Sequence, residues 1–405
     1  MLSSNSIRTL LLGLTCPALV AATSGPALSS PQPGMLVAPS TALSRTSVQG
    51  RPDQIFRKNP RNGRVTIVAG QIIENTLDAV KLQVGNKEEN VPAVQVLRIE
   101  WGETPTSYKD GLIHMDRGDY ENALAQFRIA ATDAATRPVV QADARLRAVH
   151  ALIAWGGTNA ERFAEAVEEA DRFLNDYADD RALPDATKTK ARALHLAGKP
   201  AEAGAIYEAL YQQGVAEAKG YDAVLCLDAA LAGAEAYLAA SDTLKARELF
   251  KAAETGFSDL HGASADATLA ERTYLLNQRG AASAGEGFCL LVGKDTSGAK
   301  SFFEGALRQN DAPSAEIHSA RLGLAQIHLA AGESKEAMLL FAQVSALDST
   351  SRDRVAAALL GLAASSQASG ASNGLKVART SLTRIQEGYG DTPSAAEAKT
   401  RLSKL

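Results

Sequence analysis

The sequence predicts a mainly α-helical chain, an α-α solenoid of about seven helix pairs, preceded by a small all-β, barrel-like unit. Three observations carry this. The stretch Tyr108 to Ala130 reads as two short helices around a tight turn at Arg117-Gly118-Asp119, and weaker copies of it follow. Residues 53 to 102 alternate apolar and polar side chains instead. Aromatics are only 5% while the apolar fraction is 45%, much of it Ala, which suits close-packed helices.

The chain begins with an export pattern. Arg8 precedes the apolar run Leu10 to Ala22, which is short for a membrane span but of signal-peptide length. Residues 1–22 are therefore expected to be a signal peptide, cleaved after Ala22 or after Ala27. Gly13-Leu14-Thr15 before Cys16 does not match a lipobox. Residues 23–52 are rich in Ser, Pro, Thr and Gly without a period, and read as a flexible linker. No further segment has the makings of a membrane span. The mature protein is expected to be exported, soluble, and periplasmic or associated with the cell envelope.

Residues 53–102 form the expected β unit. Val65, Ile67 and Ala69 alternate, as do Val80, Leu82 and Val84, and Val94 to Glu100 gives a further strand. Gly85-Asn86 is a turn. Four or five short strands in about fifty residues suggest a small rolled sheet or barrel. Trp101 is expected to seal it or to pack on the first helices.

Residues 103–405 carry the repeats. Gly111 and Ala123 let two helices approach, Gly118 supplies the positive φ that ends the first helix, and Asp119 is a candidate N-cap. Ala123, Phe127 and Ala130 share one face. The pattern recurs at Ala203/Tyr207, Ala246/Phe250, Ala299/Phe303 and Ala337/Phe341, with weaker copies at Ala166/Ala170 and Ala378/Leu382. An apolar residue follows each pair by three: Ala130, Phe173, Leu210, Ala253, Ala306, Val344 and Ile385. A small residue precedes each leading Ala by twelve: Gly111, Ala154, Ala191, Ala234, Gly287, Ala325 and Ser366. Gly198 and Gly332 match Gly118, with Ser241 and Asn373 as substitutes.

This register resembles that of tetratricopeptide repeat proteins. The joints Asn175 to Asp179 and Tyr389 to Pro393 resemble those of envelope members of the family, with Thr392 as cap and Pro393 at the first turn of a last, polar helix. The β unit resembles the small SH3-like or Sm-like barrels that precede helical repeats in some exported bacterial proteins. One feature departs from the family. The leading alanines stand 43, 37, 43, 53, 38 and 41 apart, against a repeat of about 34 residues. Longer helices or longer loops are needed, above all around Gly256 to Leu269.

Composition excludes some functions. With 42 basic and 46 acidic residues, a net charge of −4 and no basic block, nucleic acid is not an expected partner. Gly370-Ala371-Ser372-Asn373-Gly374 fits G-x-S-x-G, but a helix precedes it where a strand is required. Gly293-Lys294-Asp295-Thr296 lacks the frame of a phosphate loop. The six histidines are scattered, without metal-ligand spacing. No cofactor is expected. Cys226 and Cys289 fall on helices of adjacent repeats and read as buried free thiols, although an oxidising compartment would permit a disulfide.

The expected function is a non-enzymatic scaffold of the bacterial envelope that takes a protein or peptide partner. A structural subunit of an envelope assembly, and an enzyme with an unrecognised site, stay open. The resemblance implies a concave groove lined by the first helix of each pair. One step round the helix from the small crossing residue are Leu112, Trp155, Arg192, Glu235, Phe288, Gln326 and Gln367, with Lys188 one turn before Arg192. Trp155 and Phe288 could equally pack against the next repeat. The partner's identity and the oligomeric state are not written in the sequence.

Overall fold

The computed structural model describes residues 51–59, 63–217, 220–264 and 267–405. The signal peptide expected at 1–22 and all but the end of the linker expected at 23–52 lie outside them.

Five antiparallel strands come first: β1 (Asp53–Lys58), β2 (Val65–Asn75), β3 (Ala79–Val84), β4 (Lys87–Pro92) and β5 (Val96–Glu100), with a 3-10 turn, Ala93–Gln95, before β5. Their order is β4-β3-β2-β1-β5. β2 is long enough to serve two partners. Its first half pairs with β1 and its second half with β3, so the sheet rolls about Gly70. A Cβ at Gly70 would lie 2.6 Å from the Gln83 carbonyl oxygen.

Ile55, Ile72, Val80, Leu82, Val91 and Val96 fill the roll. The phase of β2 differs from expectation. Val65 and Ile67 are 56% and 57% exposed, while Val68 and Ile72 point inward. Register fixes this, because Asp53 stands opposite Gly70 and accepts a hydrogen bond from Ile72 N. Trp101 packs with both the sheet core and the first helices.

Fifteen helices follow among the described residues. They are α1 (Thr106–Asp116), α2 (Tyr120–Thr132), α3 (Pro138–Gly156), α4 (Glu161–Asp176), α5 (Leu183–Leu196), α6 (Pro200–Glu217), α7 (Ala223–Ala239) and α8 (Thr243–Ala263). Then come α9 (Leu269–Val292), α10 (Thr296–Leu307), α11 (Ser314–Ala330), α12 (Ser334–Leu347), α13 (Arg352–Ala368), α14 (Gly374–Gly388) and α15 (Ser394–Leu402). Each helix packs on the next, and from α3 to α13 the first helices of successive pairs also touch. The result is an α-α solenoid of seven pairs with α15 closing the end.

The packing columns read from the sequence are its core. Phe127, Phe303 and Phe341 are fully buried, as are all seven leading alanines. Glycines make room for the rings. A Cβ at Gly287 or at Gly323 would stand 2.4 or 2.2 Å from Phe303, so this ring is clasped between α9 and α11. In the second pair the close crossing is Gly156 on Phe163, not Ala154, which is half-buried. Long helices absorb the extra spacing. α8 runs 21 residues and α9 runs 24, with the capping box Thr268/Glu271 starting α9.

Several local expectations are corrected. Gly118, Gly198 and Gly332 have positive φ, as does Ser241, but Asn373 does not. In that pair the left-handed residue is Gly370. Asp119 sits at the N-cap without capping, because its carboxylate is taken by His114 and Asn122. Thr392 donates to Tyr389 O rather than capping α15.

The sheet rests on the connections between repeats. Asp53 holds Arg137 through two bonds of 2.7 Å and also accepts from Ile72 N and Gly102 N. Further along, Thr76 bridges to Asp180, and Leu77 N donates to Asp179 O. Leu77 packs with the apolar cluster around Tyr207 and Tyr221. Its carbonyl passes so close to Gly220 that a Cβ there would stand 2.2 Å away. At the far end Lys58 pairs with Glu271.

Candidate interaction site

Of the residues expected to line an open groove, Lys188, Arg192, Glu235, Phe288 and Gln326 are packed. Lys188, Glu235, Phe288 and Gln326 are all less than 10% exposed. Lys188 lies 3.9 Å from Asp228, which also receives Tyr274 and Gln278. Burial pushes the Asp228 carboxyl up despite these partners. Phe288 stacks on Phe303 at 5.0 Å, so it is a core residue. Trp155 is half-buried with Arg162 over its ring. Leu112 is half-buried and Gln367 exposed.

Arg192 is the centre of the inner face. Its side chain is 12% exposed, 3.7 Å from Asp353, and donates to Asp391 O at 3.0 Å. Burial opposes its charge, but Asp353 and Asp391 outweigh that and hold the guanidinium above its usual range. Between Glu235, Phe250, Phe288, Ser319 and Arg354 only about 10 Å³ is left, about the room of a single water molecule. Where Glu235 and Phe288 stand, the expected groove has no room for a peptide, and the last pair reaches back onto the second and third.

Open space lies elsewhere, at the junction of sheet and solenoid. A cleft of about 870 Å³ is bounded by Ile99, Trp101, Pro105, Tyr108 and Leu112, with Arg51, Lys109, Arg137, Arg147, Glu100 and Glu103 among its charged lining. Its floor is pre-organised. Arg147 Nε donates to Tyr108 Oη at 2.8 Å and to Asp143, and Tyr108 donates to Asp143. Burial would raise the Asp143 carboxyl, but Arg147 and the hydrogen bonds hold it below its usual value. Burial and Asp143 push the Tyr108 phenol up. Neither group is poised to exchange protons near neutrality. Sequence reasoning missed this cleft because its walls come from β1, β5, α1, the connection between α2 and α3, and α3, and no spacing rule joins them. Trp101 beside a repeat boundary was the available signal.

Gly370 to Asn373 is the turn between α13 and α14, with Ser372 exposed and Gly374 opening α14, and Gly293 to Asp295 is the turn between α9 and α10. Cys226 and Cys289 are buried free thiols, and burial pushes them up to about 11 and about 12. Among the described residues no group of His, Cys, Asp and Glu is arranged to hold a metal, and no helix is long and apolar enough to cross a membrane.

No family model matches the chain, and no curated protein matches it. Solved structures do. One is a tetratricopeptide repeat protein from Parabacteroides merdae, 13% identical, with a TM-score of 0.45 over 74% of this chain and 98% of that one. Another is BtubC (BKLC) from P. vanneervenii, 15% identical, with a TM-score of 0.33 over 59% of this chain and 90% of that one.

Proposed function

We propose that this chain is a non-enzymatic protein-binding scaffold of the cell envelope, and that its partner segment enters the cleft between the sheet and the first helix pair. The observation that carries this reading is the cleft itself: an aromatic and aliphatic wall, Trp101, Tyr108 and Leu112, with charged groups at its edge, on a rigid floor. Such a site suits a peptide with one apolar anchor. The repeat register and the stacked helix pairs support the tetratricopeptide-type scaffold. The run Leu10 to Ala22 after Arg8 supports export, and the rolled five-stranded sheet suits the SH3-like or Sm-like reading of the β unit.

The test begins with identification of the partner by cross-linking in cells. Binding of that purified partner is then measured against Arg51→Glu with Lys109→Glu, both at the cleft edge. Weakened binding with unchanged helical signal is expected, and undiminished binding would move the site elsewhere. N-terminal sequencing of the native protein should begin near Thr23 or Leu28.

A second reading, a structural subunit of an envelope assembly, is favoured by one observation. Six of the fourteen large apolar side chains most exposed on the described surface lie on the small sheet: Val65, Ile67, Ile73, Val84, Val94 and Leu97. Deleting this exposure with Val65→Thr and Ile67→Thr should abolish assembly under that reading and leave cleft binding intact.

A further inference from the structure

The two ends of the solenoid meet. The C-terminal end of α3 and the inner side of α5 touch the start of α13 and the turn before α15. Arg192 reaches Asp353 and the Asp391 carbonyl. Arg352, from the last pair itself, holds Asp391 at 2.8 Å and donates to Gly388 O. Beside them two backbones come together: a Cβ on Gly390 would stand 2.5 Å from Gly157 O, and one on Gly157 would stand 3.0 Å from Gly390 C.

What is missing from this seam sets it apart. Each helix pair is joined to its neighbours by buried rings and alanines. Among the described residues, the apolar clusters built on α3 and α5 contain nothing from α13 onward, and the clusters that include α13 contain nothing from α3 or α5. The closure includes a buried ion pair, a hydrogen bond to a carbonyl and a glycine-glycine approach, and among the described residues no apolar cluster spans it. A buried pair specifies one arrangement well, but desolvation offsets most of its attraction. Repeats couple mainly to their neighbours, so the ends can part without any pair unfolding.

We propose that this seam is a releasable latch: the last helix pair closes over the inner face, and its release opens the solenoid and uncovers Arg192 and Glu235. The closed ring hides this inner face, a surface distinct from the cleft at the sheet; that the face then takes a partner rests on the scaffold reading, and the shape change does not.

The test uses the full mature chain in solution scattering. Gly390→Leu drives a side chain into Gly157 without requiring left-handed backbone, and Arg192→Met removes the ion pair while keeping the apolar stem. Both variants should keep the wild-type helical signal and show a larger radius of gyration and maximum dimension than wild type. The double variant should add nothing to Gly390→Leu, because both release the same seam. If Gly390→Leu loses helix, Arg192→Met decides. An unchanged envelope in a folded variant overturns the latch. So does cooperative loss of helix in both variants, which would make the seam part of the fold's core.

Discussion

Two long-range seams hold this chain in shape, and they are built on different principles. Where the sheet meets the solenoid, a charged anchor is combined with an apolar key. Asp53 is 1% exposed, yet Arg137, Ile72 N and Gly102 N satisfy it, and Leu77 adds buried apolar area further along. Where the two ends of the solenoid meet, Arg192, Asp353 and a backbone carbonyl come together, and among the described residues no apolar cluster spans the seam. Electrostatics gives direction and register to both, but only the first adds the non-directional term that dominates stability. The difference separates a buttress from a latch.

The sharpest way to break this comparison is Asp53→Ala. It strands a partly buried guanidinium and two backbone N–H groups, and should cost about 3–5 kcal/mol. Denaturation followed by Trp fluorescence should show the sheet and Trp101 released first, with most helical signal intact. A single transition with both signals lost together would show that the sheet is not separable from the repeats.

Leu77→Ala tests the apolar half of the same seam. Leu77 is half-buried, so a loss of about 1–2 kcal/mol is expected in chemical denaturation. An effect near zero would mean that the apolar contact adds nothing to the buttress.

Titration sharpens the comparison further. Burial, against a backbone bond from Ala182 and the pull of Arg181 and Asn75, raises the Asp180 carboxyl at the sheet seam to about 6. A carboxyl raised on folding contributes stability below its unfolded pKa of about 4 that is lost as pH rises through 6. Burial, with Arg192 nearby, lowers His195 on α5 to about 4. That contribution is present above about 6.5 and lost as pH falls toward 4. Thus Asp180→Asn should gain on wild type as pH rises from 4 to 7, and His195→Gln should gain as pH falls over the same range. Thermal melting across this window checks both signs.

The smallest effect is expected at Lys58. Its bond to Glu271 is short, but both side chains are about 40% exposed. Lys58→Ala should change the melting free energy by less than about 1 kcal/mol, and less still in high salt.

The helix columns were open to sequence reasoning because their physics is local. Ala123, Phe127 and Ala130 lie on one face by helical geometry alone, and repetition of that face through Ile385 demands a stack. β2 was harder. Its alternation was visible but its phase was not, since Val65 and Ile67 offer as apolar a face as Val68 and Ile72 until Asp53 pins the register. The inward direction of Arg192 and Glu235 followed from one helical step. Whether that inner face is open did not follow, because it depends on how seven small rotations between pairs add up. Only the assembled curvature brings Arg192 to Asp353 and Gly157 to Gly390, more than 150 residues apart in each case. By itself the sequence determined which side chains are packed; tertiary structure decided which surfaces remain, because burial between neighbours is written in spacing and closure over a full turn is not.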